Sequence, residues 1–540
     1  MRKNNFITGT FITTLCILIT KILGAIYVIP FYAIVGNTGG ALYGYAYTVY
    51  LFFMSLSSAG IPLATSRLVS EYHTLGYVKA KKRTFQLVKR IVFLFSFICF
   101  IIITFFAPLL ARGIVGNISG ASSIKDVSFV IRIIGIAIII VPLLSVYRGY
   151  FEGHRFMEQP SISQIIEQLV RILVIIFGSL LAIKVFKLNI ASAVGIALLG
   201  VSVGALCAYF YLFDKLSKNK NKFNKQLIKK NEPIINDKII LKKIIEYSLP
   251  FIMIDLFKSL YNYIDMFEVV RGLVSVRYKA RDAETIYSIL STWGAKFNMI
   301  ILAISSAIIV NLIPNLTESI VKKNNKKIDS DIIKALNMIL FIGIPITFGI
   351  SFLAKPIWCL FYGDSLYGAN VLSYYIFVGL FISLTNITTT ILQCFKDYKN
   401  MTISLFIGVV LKFFLNINLL VAFNKMSLPP YYGIITATLI GYLATFIIDL
   451  IVLGKKYKVK YEGFVKNIID IMTGSIIMIA ILFILSIFIP IYSTNRFLNI
   501  FIILFYSVIG IIIYFCYFYK TGLFSNNYFE KIIKIIKKML

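Results

Sequence analysis

Residues 91–111, IVFLFSFICFIIITFFAPLLA, decide the fold class of this chain because they contain no charged side chain. A helix needs about 20 apolar residues to cross the hydrocarbon core of a bilayer, which is about 30 Å thick. Comparable stretches, which we number spans 1 to 14, fall at 8–35, 42–70, 89–111, 127–147, 161–185, 190–213, 244–270, 286–315, 332–354, 370–394, 401–424, 431–454, 467–490 and 498–519. They predict an all-α polytopic membrane protein with about 14 transmembrane helices.

The composition agrees with a chain whose main solvent is lipid. Hydrophobic residues make up 59% of the 540 residues and the mean hydropathy is +0.86, whereas soluble domains are roughly 45–50% apolar. The 55 Lys and Arg against 23 Asp and Glu give a net charge of +32. Because these cations fall mainly between the apolar spans, we expect contacts with anionic membrane lipids and no nucleic-acid partner.

The distribution of basic residues predicts the orientation of the chain. Roughly three times as many Lys and Arg lie on the side that holds the N-terminus as on the other, and cytoplasmic loops carry such an excess. Since the number of spans is even, we expect both termini on the cytoplasmic side of a bacterial plasma membrane. Span 1 contains Lys21 and no clear cleavage site, so we interpret it as a retained helix rather than a signal peptide.

Similar segments at two places in the chain predict an internal repeat. Ser57-Ser58-Ala59 in span 2 matches Ser305-Ser306-Ala307 in span 8, and residues 150–157 before span 5 resemble residues 394–401 before span 11. Chance similarity between apolar sequences is the alternative. An even-numbered repeat unit keeps its orientation in the membrane, as in transporters built from two parallel halves.

The repeat and the polar segments together predict the domain organisation. We expect an N-lobe at 1–213 with spans 1–6, a basic cytoplasmic linker at 214–243, and a C-lobe at 244–454 with spans 7–12. Spans 13 and 14 follow within 455–520. Residues 521–540 have the pattern of an amphipathic helix on the inner leaflet, with a solvated tail as the alternative.

Five cations lie well inside the predicted spans, where each costs roughly 2.5–3.5 kcal/mol on insertion scales and usually faces a cavity or a partner. They are Lys21, Arg171, Lys258, Lys296 and Lys412. We predict that they line one central, water-filled cavity that binds an anionic headgroup such as a diphosphate. For Arg171 and Lys258 the alternative is pairing with Glu167 and Asp255 at helical spacing. The other three have no acid three or four residues away.

The remaining polar residues indicate no enzyme active site. Asp265 and Glu268, near the outer end of span 7, could form a cation site or simply meet water. The chain has no G-x-x-x-x-G-K-[ST] motif, its six cysteines are scattered, and its two histidines, His73 and His154, fall in predicted cytoplasmic loops. We therefore expect a transporter without covalent catalysis, cofactor or metal, driven by the membrane potential or an ion gradient.

Two motifs resemble those of a known family. Thr20-Lys21-Ile22-Leu23-Gly24 in span 1, and Arg148-Gly149-Tyr150-Phe151-Glu152-Gly153 followed by Glu167 to Arg171, are similar to the MurJ and stage V sporulation protein B type of lipid-linked oligosaccharide flippases. The resemblance implies the MATE-like fold, two six-helix lobes and alternating access. It places Lys21 at a functional cation and Lys296 near another, whereas Tyr27 replaces a second basic residue of span 1.

The resemblance and the buried cations together suggest a flippase. We expect an undecaprenyl-linked anionic cell-envelope precursor, with lipid II first, to move from the inner to the outer leaflet. Another lipid-linked polysaccharide or a teichoic precursor is an alternative substrate. A cation-coupled multidrug exporter of the MATE type is the alternative function, but an exporter of cations requires buried acids, whereas this chain buries bases.

Overall fold

The fold class is confirmed by the computed structural model, which describes residues 16, 19, 20, 23, 24, 26–58, 60–116, 122–219 and 235–521. These residues form helices, turns and short loops, with no strand among them. Twelve helical segments in this part of the chain are long and apolar enough to cross a membrane. The protein is therefore an all-α, multi-pass membrane protein.

The helices are numbered here in chain order. They are α1 (Val28–Ser58), α2 (Ile61–Leu75), α3 (Val78–Val115), α4 (Ile124–Gly153), α5 (Glu158–Leu173), α6 (Ile190–Lys218), α7 (Asp237–Ser275), α8 (Ala280–Ser288), α9 (Ala295–Val321), α10 (Asn325–Phe352), α11 (Ala354–Tyr362), α12 (Gly368–Cys394), α13 (Tyr398–Lys425), α14 (Pro430–Tyr457), α15 (Phe464–Phe488) and α16 (Arg496–Lys520). Three π-helical turns, Val174–Gly178, Leu181–Val185 and Ile289–Trp293, interrupt the α-helices.

Span 2 is the place where the helices differ most from the predicted spans. The sequence predicts one helix over 42–70, but α1 ends at Ser58 and α2 begins at Ile61. Gly60 between them has a left-handed backbone with φ 72°, which glycine adopts without steric cost. A Cβ atom on Gly60 would lie 2.7 Å from the carbonyl oxygen of Ser248 on α7. The break thus allows a close backbone approach that hydrophobicity does not reveal.

The described residues form two compact units. Unit 1 comprises those of Met1–Lys296 and Leu405–Gly441, and unit 2 comprises those of Phe297–Ser404 and Tyr442–Leu540. The predicted six-helix lobes are a division by sequence similarity, and their boundaries stay a prediction. Residues 220–234 of the predicted linker and 522–540 of the predicted C-terminal helix lie outside the described residues.

Left-handed residues at helix ends recur at a nearly constant separation along the chain. The pairs are Gly36 and Arg277, Gly76 and Lys323, Gly116 and Gly363, Arg155 and Lys396, and Lys187 and Ser427. In each pair the second residue follows a later helix. The first residue follows the corresponding early helical segment in four pairs, and Gly36 lies at a kink inside α1, where two helical segments meet. This recurrence supports the proposal that the chain contains two related sets of six helices.

Close packing in unit 1 depends on small residues of α1. The Nε1 atom of Trp293 would lie 2.2 Å from a Cβ atom built on Gly40. Nearby, the rings of Tyr45 and Tyr287 stack with their centroids 4.5 Å apart. The absence of a side chain at Gly40 therefore lets the π-helical turn Ile289–Trp293 pack directly on α1.

Gly40→Ala should lower the thermal stability of the purified protein. The added methyl group would overlap the buried indole of Trp293, and such overpacking typically costs about 1–3 kcal/mol. Gly349→Ala on α10 is the matched control, because no atom lies within 4 Å of its Cβ position. Thermal unfolding in detergent measures both variants, and equal melting temperatures would contradict this account of the packing.

Candidate functional site

The structure describes four of the five cations that the sequence predicts as substrate-binding residues. Arg171, Lys258, Lys296 and Lys412 all belong to unit 1, whereas Lys21 lies outside the described residues. Their environments differ.

Arg171 belongs to a network of two guanidinium groups that share one carboxylate. Arg148 on α4 donates to Oε2 of Glu167 on α5 at 2.8 Å, and Arg171 donates to Oε1 of the same carboxylate. Arg148 also donates from Nε to the hydroxyl of Ser163 at 2.9 Å. The three charged side chains are only 12–16% exposed. The two guanidinium groups thus share one carboxylate, and Glu152 is a second acid within electrostatic range of Arg148.

Tyrosine residues surround the same network. Tyr43, Tyr47 and Tyr50 of α1 lie within electrostatic range of Arg171. Their spacing along α1 places them on one side of that helix, since residues three and four apart are neighbours on a helix surface. The network therefore combines guanidinium groups with phenolic hydroxyls, both of which can donate hydrogen bonds to an anion.

Lys296 lies in the same region of unit 1. Its Nζ atom is 5.5 Å from the ring centroid of Tyr27, and the Tyr27 hydroxyl lies within hydrogen-bonding reach of Lys296 and Tyr43. Tyr27 is also within electrostatic range of Arg171. The structure thus brings Arg171 and Lys296 to one group of tyrosines. We call these tyrosines and the charged residues beside them the Arg171 cluster, which consists of Tyr27, Tyr43, Tyr47, Tyr50, Arg148, Glu167, Arg171 and Lys296.

A π-helical turn adjoins each of these two cations. One begins at Val174, three residues after Arg171, and the other ends at Trp293, three residues before Lys296. Such turns shift the register of the side chains that follow and occur often at functional sites. The second turn therefore contributes to the direction in which Lys296 projects, whereas the first turn shifts the residues after Arg171. The hydrophobic pattern of the sequence predicts neither turn.

Lys258 lines a separate polar cavity of about 340 Å³ within unit 1. The cavity is lined by Leu51, Met54, Ser55, Ser58, Asp255, Lys258, Ser259 and Asn262. The charges of Lys258 and Asp255 interact without a direct ion pair between them. This arrangement combines the two interpretations of the sequence, because Lys258 has a neighbouring acid and also faces a cavity.

Lys412 is fully buried and occupies an ion pair rather than an open cavity. Its Nζ atom donates to Oδ1 of Asp265 at 2.7 Å and to the hydroxyl of Thr438 at 2.5 Å. Next to this pair, Asn416 donates to Glu268 at 2.8 Å. The sequence shows no acid near Lys412 on its own helix, but Asp265 reaches it from α7. Asp265 thus binds a cation of the chain itself, which neither interpretation of the sequence included, and its side chain remains 17% exposed.

The four described cations therefore do not all line one cavity in this structure. Arg171 and Lys296 lie together, Lys258 lines the polar cavity, and Lys412 is enclosed with Asp265. Burying an unpaired ammonium costs several kcal/mol, which explains why Lys412 has a carboxylate partner. A role of Lys21, Arg171, Lys258, Lys296 and Lys412 in substrate binding stays a prediction.

Two ionisable residues of interest were missed by the sequence analysis. Arg148 falls just outside span 4, but α4 continues to Gly153 and includes it. Asp449 lies within span 12 and is fully buried in unit 2. A search for intramembrane acids as well as cations would have found Asp449, because the cost of burying a charge applies to both signs.

Unit 2 contains an apolar cavity of about 430 Å³. It is formed by residues of α10, α11, α15 and α16, including Ile346, Ile350, Leu482, Ile503 and Ile511. Such a surface suits a hydrocarbon chain, since it offers few polar partners. Among the described residues there is no group of three or more His, Cys, Asp or Glu side chains placed to hold a metal ion.

Sequence comparison relates the chain to known proteins. Residues 6–314 match the family model described as polysaccharide biosynthesis protein. The chain is 32% identical over 483 residues to lipid II flippase MurJ of Bacillus subtilis (strain 168), which covers 88% of this chain and 87% of that protein.

Solved structures share the fold. Lipid II flippase MurJ in an inward closed conformation matches with a TM-score of 0.66 and 16% identity, covering 96% of this chain and 99% of that one. An inward-facing multidrug resistance MATE family transporter of the MOP superfamily matches with a TM-score of 0.58 and 14% identity, covering 84% and 95%. The expected MATE-like fold is thus confirmed.

Glu167→Gln should destabilise the protein, because the two nearly buried guanidinium groups would lose their shared carboxylate. Breaking a buried ion pair typically lowers the stability of a protein by about 3–5 kcal/mol. Because this network is partly exposed, we expect a loss of stability of about 3 kcal/mol or less. Glu318→Gln is the control, since Glu318 forms an exposed pair with Lys322 at the same helical spacing. Thermal unfolding should separate the two variants, and a larger loss in the control would refute the assigned importance of Glu167.

Lys412→Met should also be strongly destabilising, because it leaves the Asp265 carboxylate buried without its cation. The double variant Lys412→Met/Asp265→Asn should recover part of the loss, since both buried charges are then gone. A double-mutant cycle of melting temperatures measures this coupling. Additive effects of the two single substitutions would show that the ion pair does not couple them.

Proposed function

The chain belongs to the family of polysaccharide biosynthesis proteins, and from this premise we propose that it is a lipid II flippase. It moves this undecaprenyl-linked anionic precursor of the cell envelope from the inner to the outer leaflet of a bacterial plasma membrane. The extent of its similarity to lipid II flippase MurJ supports this substrate, because the alignment includes most of both chains.

The Arg171 cluster is the observation that carries the proposal. Arg148, Arg171 and Lys296 supply three positive charges, which exceed the negative charges of Glu167 and of Glu152, the latter within electrostatic range of Arg148. Guanidinium groups bind phosphate oxygens through two parallel hydrogen bonds, and clustered cations offset the desolvation of an anion. We propose that this cluster, together with Lys21, binds the diphosphate of the substrate.

Glu167 has a positioning role in this proposal. Its two carboxylate oxygens hold Arg148 and Arg171 from neighbouring helices, so the guanidinium groups are fixed before the substrate arrives. Fixing the groups in advance lowers the entropy lost on binding. Because one carboxylate cannot neutralise both, the network still attracts an anion.

The apolar cavity of unit 2 supports a lipid-linked substrate rather than a water-soluble one. Its lining is almost entirely aliphatic and aromatic, and a prenyl chain gains free energy by contact with such a surface.

Transport requires an energy source but no covalent step. We propose alternating access with both termini on the cytoplasmic side. A membrane potential that is negative inside is worth about 2.3 kcal/mol per elementary charge per 100 mV, and it favours outward movement of an anion. An ion gradient could supply the same energy.

A cation-coupled multidrug exporter is the second candidate function. The similarity of the fold to a MATE family transporter favours it. However, the excess of cations in the Arg171 cluster disfavours a cationic drug, so we rank this function below the flippase.

Depletion of the protein in its host should cause lipid II to accumulate in the inner leaflet. Lys296→Ala and Lys21→Ala should fail to reverse the accumulation although they insert normally, because each removes one cation proposed to bind the diphosphate. We expect the flipping rate of each variant to fall at least about tenfold, which corresponds to about 1.4 kcal/mol of lost stabilisation in the transition state. The assay measures inner-leaflet lipid II together with the amount of each variant in the membrane.

Lys322→Ala is the control for these variants, because Lys322 is an exposed cation. This variant should restore flipping fully. Accumulation of a different lipid-linked glycan would reject lipid II as the substrate. No accumulation of any such lipid, in a host without a second flippase, would favour the exporter.

A further inference from the structure

Asp449 is a buried acid in unit 2 to which the proposed binding of the headgroup gives no role. It lies on α14, eight residues before the end of that helix, or about 12 Å along the helix axis. The residue is fully buried. The hydroxyl of Thr388 on α12 donates to its Oδ2 atom at 2.7 Å, and that of Ser404 on α13 donates to its Oδ1 atom at 2.6 Å.

No cation among the described residues forms an ion pair with Asp449. The cations nearest to it along α14 are Lys455 and Lys456 at the end of the helix, and Lys456 pairs with Asp397 at 2.8 Å. Asp265, the other deeply placed acid, has the ammonium of Lys412 at 2.7 Å. The two acids therefore have different partners: Asp265 forms an ion pair, whereas Asp449 accepts hydrogen bonds from neutral hydroxyl groups only.

Burying a carboxylate without a counter-ion is unfavourable in free energy, whereas a buried neutral carboxylic acid needs only hydrogen-bond partners. The partners of Asp449 can serve both forms. Thr388 lies 3.2 Å from the carbonyl oxygen of Thr385, and Ser404 lies 2.9 Å from that of Met401. Each hydroxyl hydrogen can therefore point either to the carboxylate or to a backbone oxygen on its own helix.

These alternatives define two complete sets of hydrogen bonds. With Asp449 ionised, both hydroxyls donate to the carboxylate. With Asp449 protonated, its new O–H group donates to one hydroxyl oxygen, and the hydrogen of that hydroxyl turns to the backbone carbonyl. The proton comes from water and returns to water, so no other bond is made or broken.

The titratable groups that face Asp449 are few. Neither Thr388 on α12 nor Ser404 on α13 titrates, and the described contacts place no charged side chain of these helices on the carboxyl group. Tyr461, just after α14, lies within electrostatic range of Asp449 and also of Asp329 on α10. The backbone N–H of exposed Lys460 donates to Asp329 at 3.3 Å. The hydroxyl of Tyr461 itself donates to the carbonyl oxygen of Leu450 at 2.8 Å, so among the described contacts Asp449 is hydrogen-bonded only to Thr388 and Ser404.

We propose that Asp449 is a proton-binding site, in which the carboxyl group carries a proton while α12, α13 and α14 are packed together and exchanges it with water when they separate. The ligand is a proton, held by the hydroxyls of Thr388 and Ser404. Part of this inference rests on the proposed function, since the exchange would couple a proton gradient to flipping. The binding of the proton itself does not depend on the substrate.

Infrared difference spectroscopy of the purified protein in lipid nanodiscs tests proton binding without transport. The unmodified protein at neutral pH should show the carbonyl stretch of a protonated carboxylic acid, and this band should be missing from Asp449→Asn. The control is Glu318→Gln, which removes an exposed carboxylate paired with Lys322 and should leave the band in place. Identical spectra of the unmodified protein and Asp449→Asn would overturn the proposal.

Thr388→Val/Ser404→Ala gives a second test that does not alter the acid. A neutral Asp449 loses two partners in this variant but buries no charge, so the protein should fold and keep the infrared band. An ionised Asp449 would lose both of its donors. Failure of this variant to fold, alongside normal folding of Asp449→Asn, would therefore overturn the proposal.

Flipping of lipid II in proteoliposomes tests the coupling. Asp449→Asn mimics the neutral acid, so it should fold, and its flipping should lose the response to an imposed pH gradient that the unmodified protein shows. An unchanged response in Asp449→Asn would overturn the coupling. If neither protein flips lipid II while the infrared band is present, the proposed function fails and the proton site stands.

Discussion

The low polarity of the membrane interior is the constraint on which the rest of this structure depends. A charge taken out of water needs a partner or a polar cavity, and the ionisable residues of unit 1 follow this rule in three ways. Arg171 shares a carboxylate with Arg148, Lys258 lines a cavity with Asp255, and Lys412 is enclosed with Asp265. Each of these charged residues has a partner because burying a charge without one is unfavourable in free energy.

These pairings also divide the cations by what they can bind. The pair of Lys412 and Asp265 is neutral as a whole and has no donor directed at an open space. The Arg171 cluster keeps an excess of positive charge and is partly exposed, so an incoming anion can replace water around it. Because the two arrangements differ in net charge, the cations of unit 1 have different capacities for binding an anionic headgroup.

Sequence reasoning succeeds where one local pattern decides the structure. Span 11, predicted at 401–424, differs by only a few residues from α13, since a long apolar run determines the helix. Pairing of Glu167 with Arg171 was foreseen as an alternative from helical spacing. The partner of Lys412 could not be foreseen, because Asp265 is 147 residues away in the sequence. The break at Gly60 was missed for a similar reason, since it depends on the approach of α7.

Asp265 and Asp449 show how one fold can use the same side chain in opposite ways. Moving a proton onto Asp265 would leave the fully buried ammonium of Lys412 without its carboxylate partner, so this pair resists a change of protonation. The hydroxyls around Asp449 accept either form with a rotation of their hydrogens. Because only the second arrangement offers hydrogen-bond partners to both protonation states, the proposed response to protons belongs to Asp449 in unit 2 and not to the pair of Asp265 and Lys412 in unit 1.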